Sequence, residues 1–162
     1  MALLGFAGAV AATALIATPI NRRNKRWYRR LEKPKFNPPD WLFGPVWTTL
    51  YALMVASAYR VWQLPDSPAR SRALALWGGQ LAANAAWTPL FFEARRPDAA
   101  LVDIGLLVGG LGAYINEARK VDPQAAWLMA PYAAWSLFAT ALNEEIVRRN
   151  RPHVAPDRLP PQ

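Results

Sequence analysis

The chain alternates between long stretches without charge and short polar gaps. Charged residues are absent from Met1–Asn21, Trp41–Tyr59, Ala73–Phe92 and Pro123–Asn143, and Ala99–Asn116 carries only Asp103. Each window approaches the roughly 20 residues that a helix needs to cross a hydrocarbon core of about 30 Å. None shows the polar outer face of a helix in a soluble bundle. The pattern predicts an all-α, polytopic membrane protein: a bundle of five transmembrane helices near residues 2–20, 43–63, 73–93, 98–118 and 124–146. Residues 1–150 then form one transmembrane domain, and "RPHVAPDRLPPQ" (151–162) is expected to be a disordered, polar tail. The first window contains an A-x-A pattern of the kind found at signal-peptide cleavage sites, but no basic region precedes it, so a retained helix is expected.

The second span is announced by "KFNPPDWLFGPVWTTLYALM" (35–54). Prolines fix the direction of a chain entering a helix, because their missing amide hydrogen would be unpaired there anyway. Tryptophan favours boundaries that are wet on one edge and apolar on the other. Pro45 is the expected first helical residue, after a turn over Trp41–Gly44.

At about 100° per residue, Trp47, Tyr51, Val55, Ala58 and Trp62 share one stripe of span two. Trp77, Gln80, Asn84, Thr88 and Phe91 share a face of span three, and Tyr132, Trp135, Ser136, Ala139 and Asn143 share one of span five. Carboxamides are costly against lipid, so these faces are expected to meet inside the bundle. Structural hydrogen bonds between helices are one reading of the amides. A pocket for a large planar ligand is the other, favoured by Trp47 and Trp135 beside them. Gly78, Gly79, Ala82, Ala83 and Ala86 take the opposite face of span three, and Gly105-x-x-x-Gly109 lies in span four. Both permit close helix contact, within one bundle or between two copies. Pro89 and Pro131 are expected to bend their helices. Asp103 lies near the start of its span and reads as an interfacial, structural acid, while Glu117, Glu144 and Glu145 read as charge pairs at span ends.

A net charge of +8 raises the question of nucleic acid, yet the basic residues occupy the gaps. Fourteen of the 19 lie in the first gap, the third gap and the C-terminal tail; the other five lie in the second and fourth gaps. The bias of basic residues towards cytoplasmic loops predicts an N-terminus outside and a C-terminus in the cytoplasm, with no nucleic-acid partner. There is no cysteine, and the only histidine, His153, lies in the tail. Disulfides and thiolate chemistry are therefore excluded, as is histidine-based metal ligation or catalysis within the membrane.

"WYRRLEKPKFNPPDWLFGPVWTTLYALM", "QLAANAAWTPLFF" and "PYAAWSLFATALN" closely resemble, in the right order across residues 27–150, the TspO/MBR family of tryptophan-rich sensory proteins, whose eukaryotic members are called translocator proteins or peripheral-type benzodiazepine receptors. The resemblance implies a five-helix transmembrane bundle, commonly a homodimer. It implies binding of protoporphyrin IX or haem, of benzodiazepine-site ligands and, in animals, of sterol, beneath the loop between the first two helices. By motif it carries the pocket to Trp47, Asn84, Trp87, Trp135, Ala139 and Asn143, with Tyr51 beside them on the Trp47 stripe. "KPKFNPPDW" then stands as the lid, with Lys35, Phe36, Pro38, Pro39 and Trp41.

The family's sterol motif near the end of helix five would need an aromatic between Leu142 and Arg148, which "LNEEIVRRNR" lacks; Leu111, Tyr114 and Arg119 fit the loose pattern elsewhere. The expected function is a membrane tetrapyrrole-binding protein acting as sensor, scavenger or regulator, in which Lys33 and Lys35 face the propionates and no metal or further cofactor is required. The resemblance also admits light-dependent porphyrin breakdown using Trp47 and Trp135, or transport of porphyrins or sterols. No acid–base pair or activated nucleophile is visible for an enzyme.

Overall fold

A computed structural model describes residues 1–154, with side chains to Asn150. Among the described residues the chain is helical with short connections: α1 (Ala2–Arg30), α2 (Asp40–Trp62), α3 (Pro68–Thr88), α4 (Pro97–Ala118), α5 (Pro123–Leu128) and α6 (Ala130–Val154). The segments Ala2–Arg30, Asp40–Trp62, Pro97–Ala118 and Pro123–Asn150 are long and apolar enough to cross a membrane. In α3, Arg70, Arg72, Gln80 and Asn84 dilute the hydropathy.

Helix boundaries follow local chemistry. α1 continues past the charge-free window and ends as a basic rod at Arg29 and Arg30. α2 begins at Asp40, not at the expected Pro45: extended Pro39 stands at the N-cap, Asp40 places its carboxylate in the first turn, and Pro45 is carried inside the helix. Ser67 caps α3 by accepting from the Arg70 amide, with Pro68 in the first turn. Pro89 opens a π-helical turn over Pro89–Glu93, and the fifth predicted span is interrupted at Met129, two residues before Pro131. Both prolines thus mark the irregularities expected of them, since each removes an amide that would have bonded one turn back. α6 extends to Val154 and so includes the start of the expected tail; residues 155–162 lie outside the described ones.

α3 and α4 pack together most extensively, α6 lies against α4, and α1 leans on α2 and α3. Lipid tails are as apolar as leucine, so close fit rather than hydrophobic burial must hold such helices together. The main core supplies that fit with small residues, Ala58, Ala73, Ala118 and Ala125, all at 0 % exposure beside Met54, Val61 and Tyr114. A second core at the other end gathers Leu31, Phe91, Ala100, Leu142 and Ile146.

Candidate functional site

Between α1, α2, α3, α4 and α6 lies a cavity of about 480 Å³, at the end of the bundle where the Leu31–Pro39 loop crosses from α1 to α2. Its walls contain every pocket residue expected from the sequence: Trp47, Tyr51, Asn84, Trp87, Trp135, Ala139 and Asn143. The five residues that periodicity put on one face of the third span, four in α3 and Phe91 in the π-helical turn, are all buried. Trp47 packs against Tyr51 (5.1 Å) and edge-on to Tyr132 (6.2 Å). Trp87 stacks on Phe91 at 4.8 Å, and Trp135 meets Phe43 and Phe138 at 5.8 and 5.5 Å. The result is a set of broad, flat, apolar walls.

Polar groups sit at fixed points among these rings. The Tyr51 hydroxyl donates to Asn84 Oδ1 (3.4 Å), and Asn84 Nδ2 donates to the Tyr132 hydroxyl (3.0 Å), which joins three helices. Asn143 Nδ2 donates to the Pro97 carbonyl (2.8 Å), tying α6 to the start of α4. Its Oδ1 has no partner, nor has the buried Trp87 indole N–H. Both atoms belong to residues of the cavity wall but are themselves sealed from its open space, and a buried polar group left unmet costs about 1–3 kcal/mol.

The mouth is charged, but not by the residues expected. Lys35 lies outside the cavity and is exposed, while Lys33 donates to the carbonyls of Tyr28 (2.8 Å) and Leu31 and covers the Tyr28 ring. The cations that do line the cavity are Arg22 and Lys25 of α1, with Asp40 3.5 Å from Lys25. They were missed because α1 was expected to leave the membrane near residue 20, whereas its basic extension is still helical and returns these side chains to the mouth.

Much of the remaining missed wall also belongs to α1, namely Thr13, Ala14, Ala17, Thr18, Asn21 and Tyr28, while Ile104 and Leu107 bring in α4 and Phe138 adds to α6. Nothing in a charge-free run of alanines singles out the α1 residues, except that small side chains make room. The expected lid residues Lys35, Phe36, Pro38, Pro39 and Trp41 do not line the cavity; the loop instead packs on two residues that do, with Phe36 edge-on to Phe138 (6.2 Å) and Asn37 accepting from the Tyr28 hydroxyl (3.0 Å). Trp41 is 72 % exposed.

Elsewhere, Trp62 leaves the expected inward stripe of α2, packing on Phe6 and beneath Arg70 at the bundle rim. Asp103 is half-buried, with one carboxylate oxygen unpartnered. Glu117 pairs with Arg72 and Lys120, and Glu145 with Arg148 and Arg149. Among the described residues no group of three or more His, Cys, Asp or Glu side chains converges to hold a metal ion.

The family model for the TspO/MBR family matches residues 2–149. The chain belongs to the TspO/MBR family. Human translocator protein is 43 % identical over 137 residues, covering 83 % of this chain and 81 % of the relative. The tryptophan-rich sensory protein of Cereibacter sphaeroides is 38 % identical over 150 residues, 93 % and 90 % of the two chains. Protein CrtK of Rhodobacter capsulatus is 38 % identical over 125 residues, 76 % and 78 %. With family membership and several helices apolar enough to cross a bilayer, this TspO/MBR protein is a multi-pass membrane protein.

Proposed function

We propose that the protein binds tetrapyrroles, protoporphyrin IX or haem, within the membrane, and acts as a sensor, scavenger or regulator in porphyrin and stress responses. The observation that carries this reading is the cavity itself. Its volume of about 480 Å³ falls within the roughly 300–1,000 Å³ usual for small-molecule sites. Flat indole walls suit a planar macrocycle, and Arg22 and Lys25 suit carboxylates left at the aqueous mouth.

A spectral titration of the purified protein with protoporphyrin IX, haem and cholesterol tests the reading. A saturable shift of the porphyrin band is expected; a sterol that displaces the porphyrin, or no saturable shift with either tetrapyrrole, would overturn it. The indoles at Trp47 and Trp135 favour a second reading, light-dependent porphyrin breakdown, in which the excited ligand supplies the chemistry. Illumination of the complex separates the two: a new absorbing product that forms only with the protein supports breakdown.

In this reading α3 also crosses the membrane and brings the spans to five, the N-terminus lies outside and the C-terminus in the cytoplasm. A reporter fused after Asn150 should be active only on the cytoplasmic side. The exposed small residues Gly78, Gly79, Ala82 and Ala86 favour a homodimer through α3. Replacing Ala82 and Ala86 together with Leu should shift the detergent-solubilised species to monomer.

A further inference from the structure

Asn150, in the last turns of α6, reaches across to the root of the lid. Its Oδ1 accepts from the Glu32 amide (3.0 Å), while its Nδ2 donates to the Glu32 carbonyl (2.9 Å) and to the Ile146 carbonyl of its own helix (2.9 Å). One carboxamide thus grips both the amide and the carbonyl of a single residue 118 positions away, with both of its N–H donors and its oxygen engaged and the residue 1 % exposed. Glu32 stands just beyond α1, whose C-cap, Leu31, is already extended. This is where the backbone has left the helix and has no ladder of its own to bond into.

The rest of the loop is held differently. Lys33 satisfies the last carbonyls of α1, Leu31 is buried with Leu142 and Ile146, and Phe36 rests on Phe138. Towards α2, Asn37 accepts from the Tyr28 hydroxyl (3.0 Å), Pro38 is buried, and the last tether is the Lys25–Asp40 pair, 52 % and 63 % exposed. Exposed pairs hold weakly.

We propose that Asn150 is the positioning residue of the lid: by clamping Glu32 to α6 it makes the α1 end of the loop a fixed post, from which residues 33–39 cross the mouth and retain ligand. Losing the clamp strands the Glu32 peptide groups and lets the post move. The effect on the loop is independent of what the cavity holds; the effect on ligand residence rests on the tetrapyrrole reading.

The test uses the full chain in lipid nanodiscs. Trypsin should cut the loop after Lys35, because Pro34 protects the bond after Lys33. In Asn150→Ala, cleavage after Lys35 and amide exchange across 31–39 should both rise about tenfold, as expected for the loss of more than one buried hydrogen bond. Protoporphyrin dissociation should quicken by a similar factor while association does not slow. Asn150→Asp keeps the acceptor for the Glu32 amide but loses both donations, and should loosen the loop in the same direction. Ser57→Ala, which removes a buried hydrogen bond at the far end of the bundle, should lower thermal stability without altering loop cleavage.

Loop cleavage and exchange unchanged in both Asn150 variants would sink the proposal, as would a loosened loop with unaltered dissociation. A parent protein that binds no porphyrin would instead overturn the proposed function, and the cleavage and exchange rates would still decide the role of Asn150.

Discussion

The two ends of this bundle are built from the same helices but solve opposite problems. At the end away from the lid, the Tyr114 hydroxyl bonds to Ser57 (2.6 Å), Ser57 donates to the Ala125 carbonyl (2.7 Å), and Arg60 holds Asp122 (2.8 Å) and Gln124 (2.7 Å). The polar groups of that cluster satisfy one another, and alanines let the backbones close. At the lid end the small residues of α1 face large rings of α2, α3 and α6, which hold the helices apart, and two polar atoms of the cavity wall are left unmatched. A closed end gives the assembly its rigidity, and an open end can then keep a cavity without collapsing.

The largest effect should come from breaking the closed end. Asp122 caps α5 by accepting from the Gln124 and Ala125 amides (2.9 and 3.2 Å) as well as pairing with Arg60. Asp122→Ala should cost about 2 kcal/mol, combining a lost cap with a partly screened ion pair, read by thermal unfolding in detergent. Burial opposes ionisation of this carboxyl, but the Arg60 guanidinium and the two amides outweigh it and hold its pKa below the ordinary value. Because the folded-state pKa is the depressed one, its contribution is fully present above about pH 4 and is lost as the pH falls through the folded value. The parent should therefore lose stability on acidification below the usual carboxylate range more steeply than Asp122→Ala. Equal acid sensitivity in the two proteins would remove Asp122 from the account.

Next come the walls of the open end. Trp47→Leu and Trp135→Leu keep the site apolar but remove aromatic surface worth about 0.5–1.5 kcal/mol, so each should weaken protoporphyrin binding roughly two- to tenfold. The fall of tryptophan fluorescence on binding should shrink in both. Trp62, 46 % exposed at the rim, is the comparison: Trp62→Leu should bind as the parent does. Tight binding in both wall variants would make those indoles structural.

The smallest effect belongs to the mouth. Replacing Arg22 and Lys25 together with Gln should weaken porphyrin binding by about threefold, since exposed charges contribute little each. The difference should fade as salt is raised. A deficit that persists at high salt would mean the two side chains shape the mouth by packing.

The open end was also the more legible in sequence where polar and aromatic residues recur at helical spacing: Asn84 and Thr88 on α3 and Trp135, Ala139 and Asn143 on α6 all lie where periodicity put them. Periodicity was silent about α1, because a wall that contributes space is written in alanine and threonine, which look the same facing lipid or ligand. It placed Trp62 wrongly because a stripe says which residues share a side, not how far along the helix that side remains covered. Asn150 carried no signal at all, since its importance lies in one partner 118 residues away.

The π-helical turn at Pro89–Glu93 carries a consequence for chain length. A wide turn accommodates one residue more than an α-helical turn of the same rise, with the Ala94 amide bonding the Pro89 carbonyl at 2.9 Å. Phe91 and Phe92 both reach the Trp27 and Tyr28 rings from it, and Glu93 reaches Arg23 and Asn24. Deleting a single residue there would leave an unbroken and locally more regular helix, yet rotate everything after the cut and detach this turn from α1 at the mouth. In this stretch an indel is a change of phase, and the ligand cavity, rather than the helix, is what reads it.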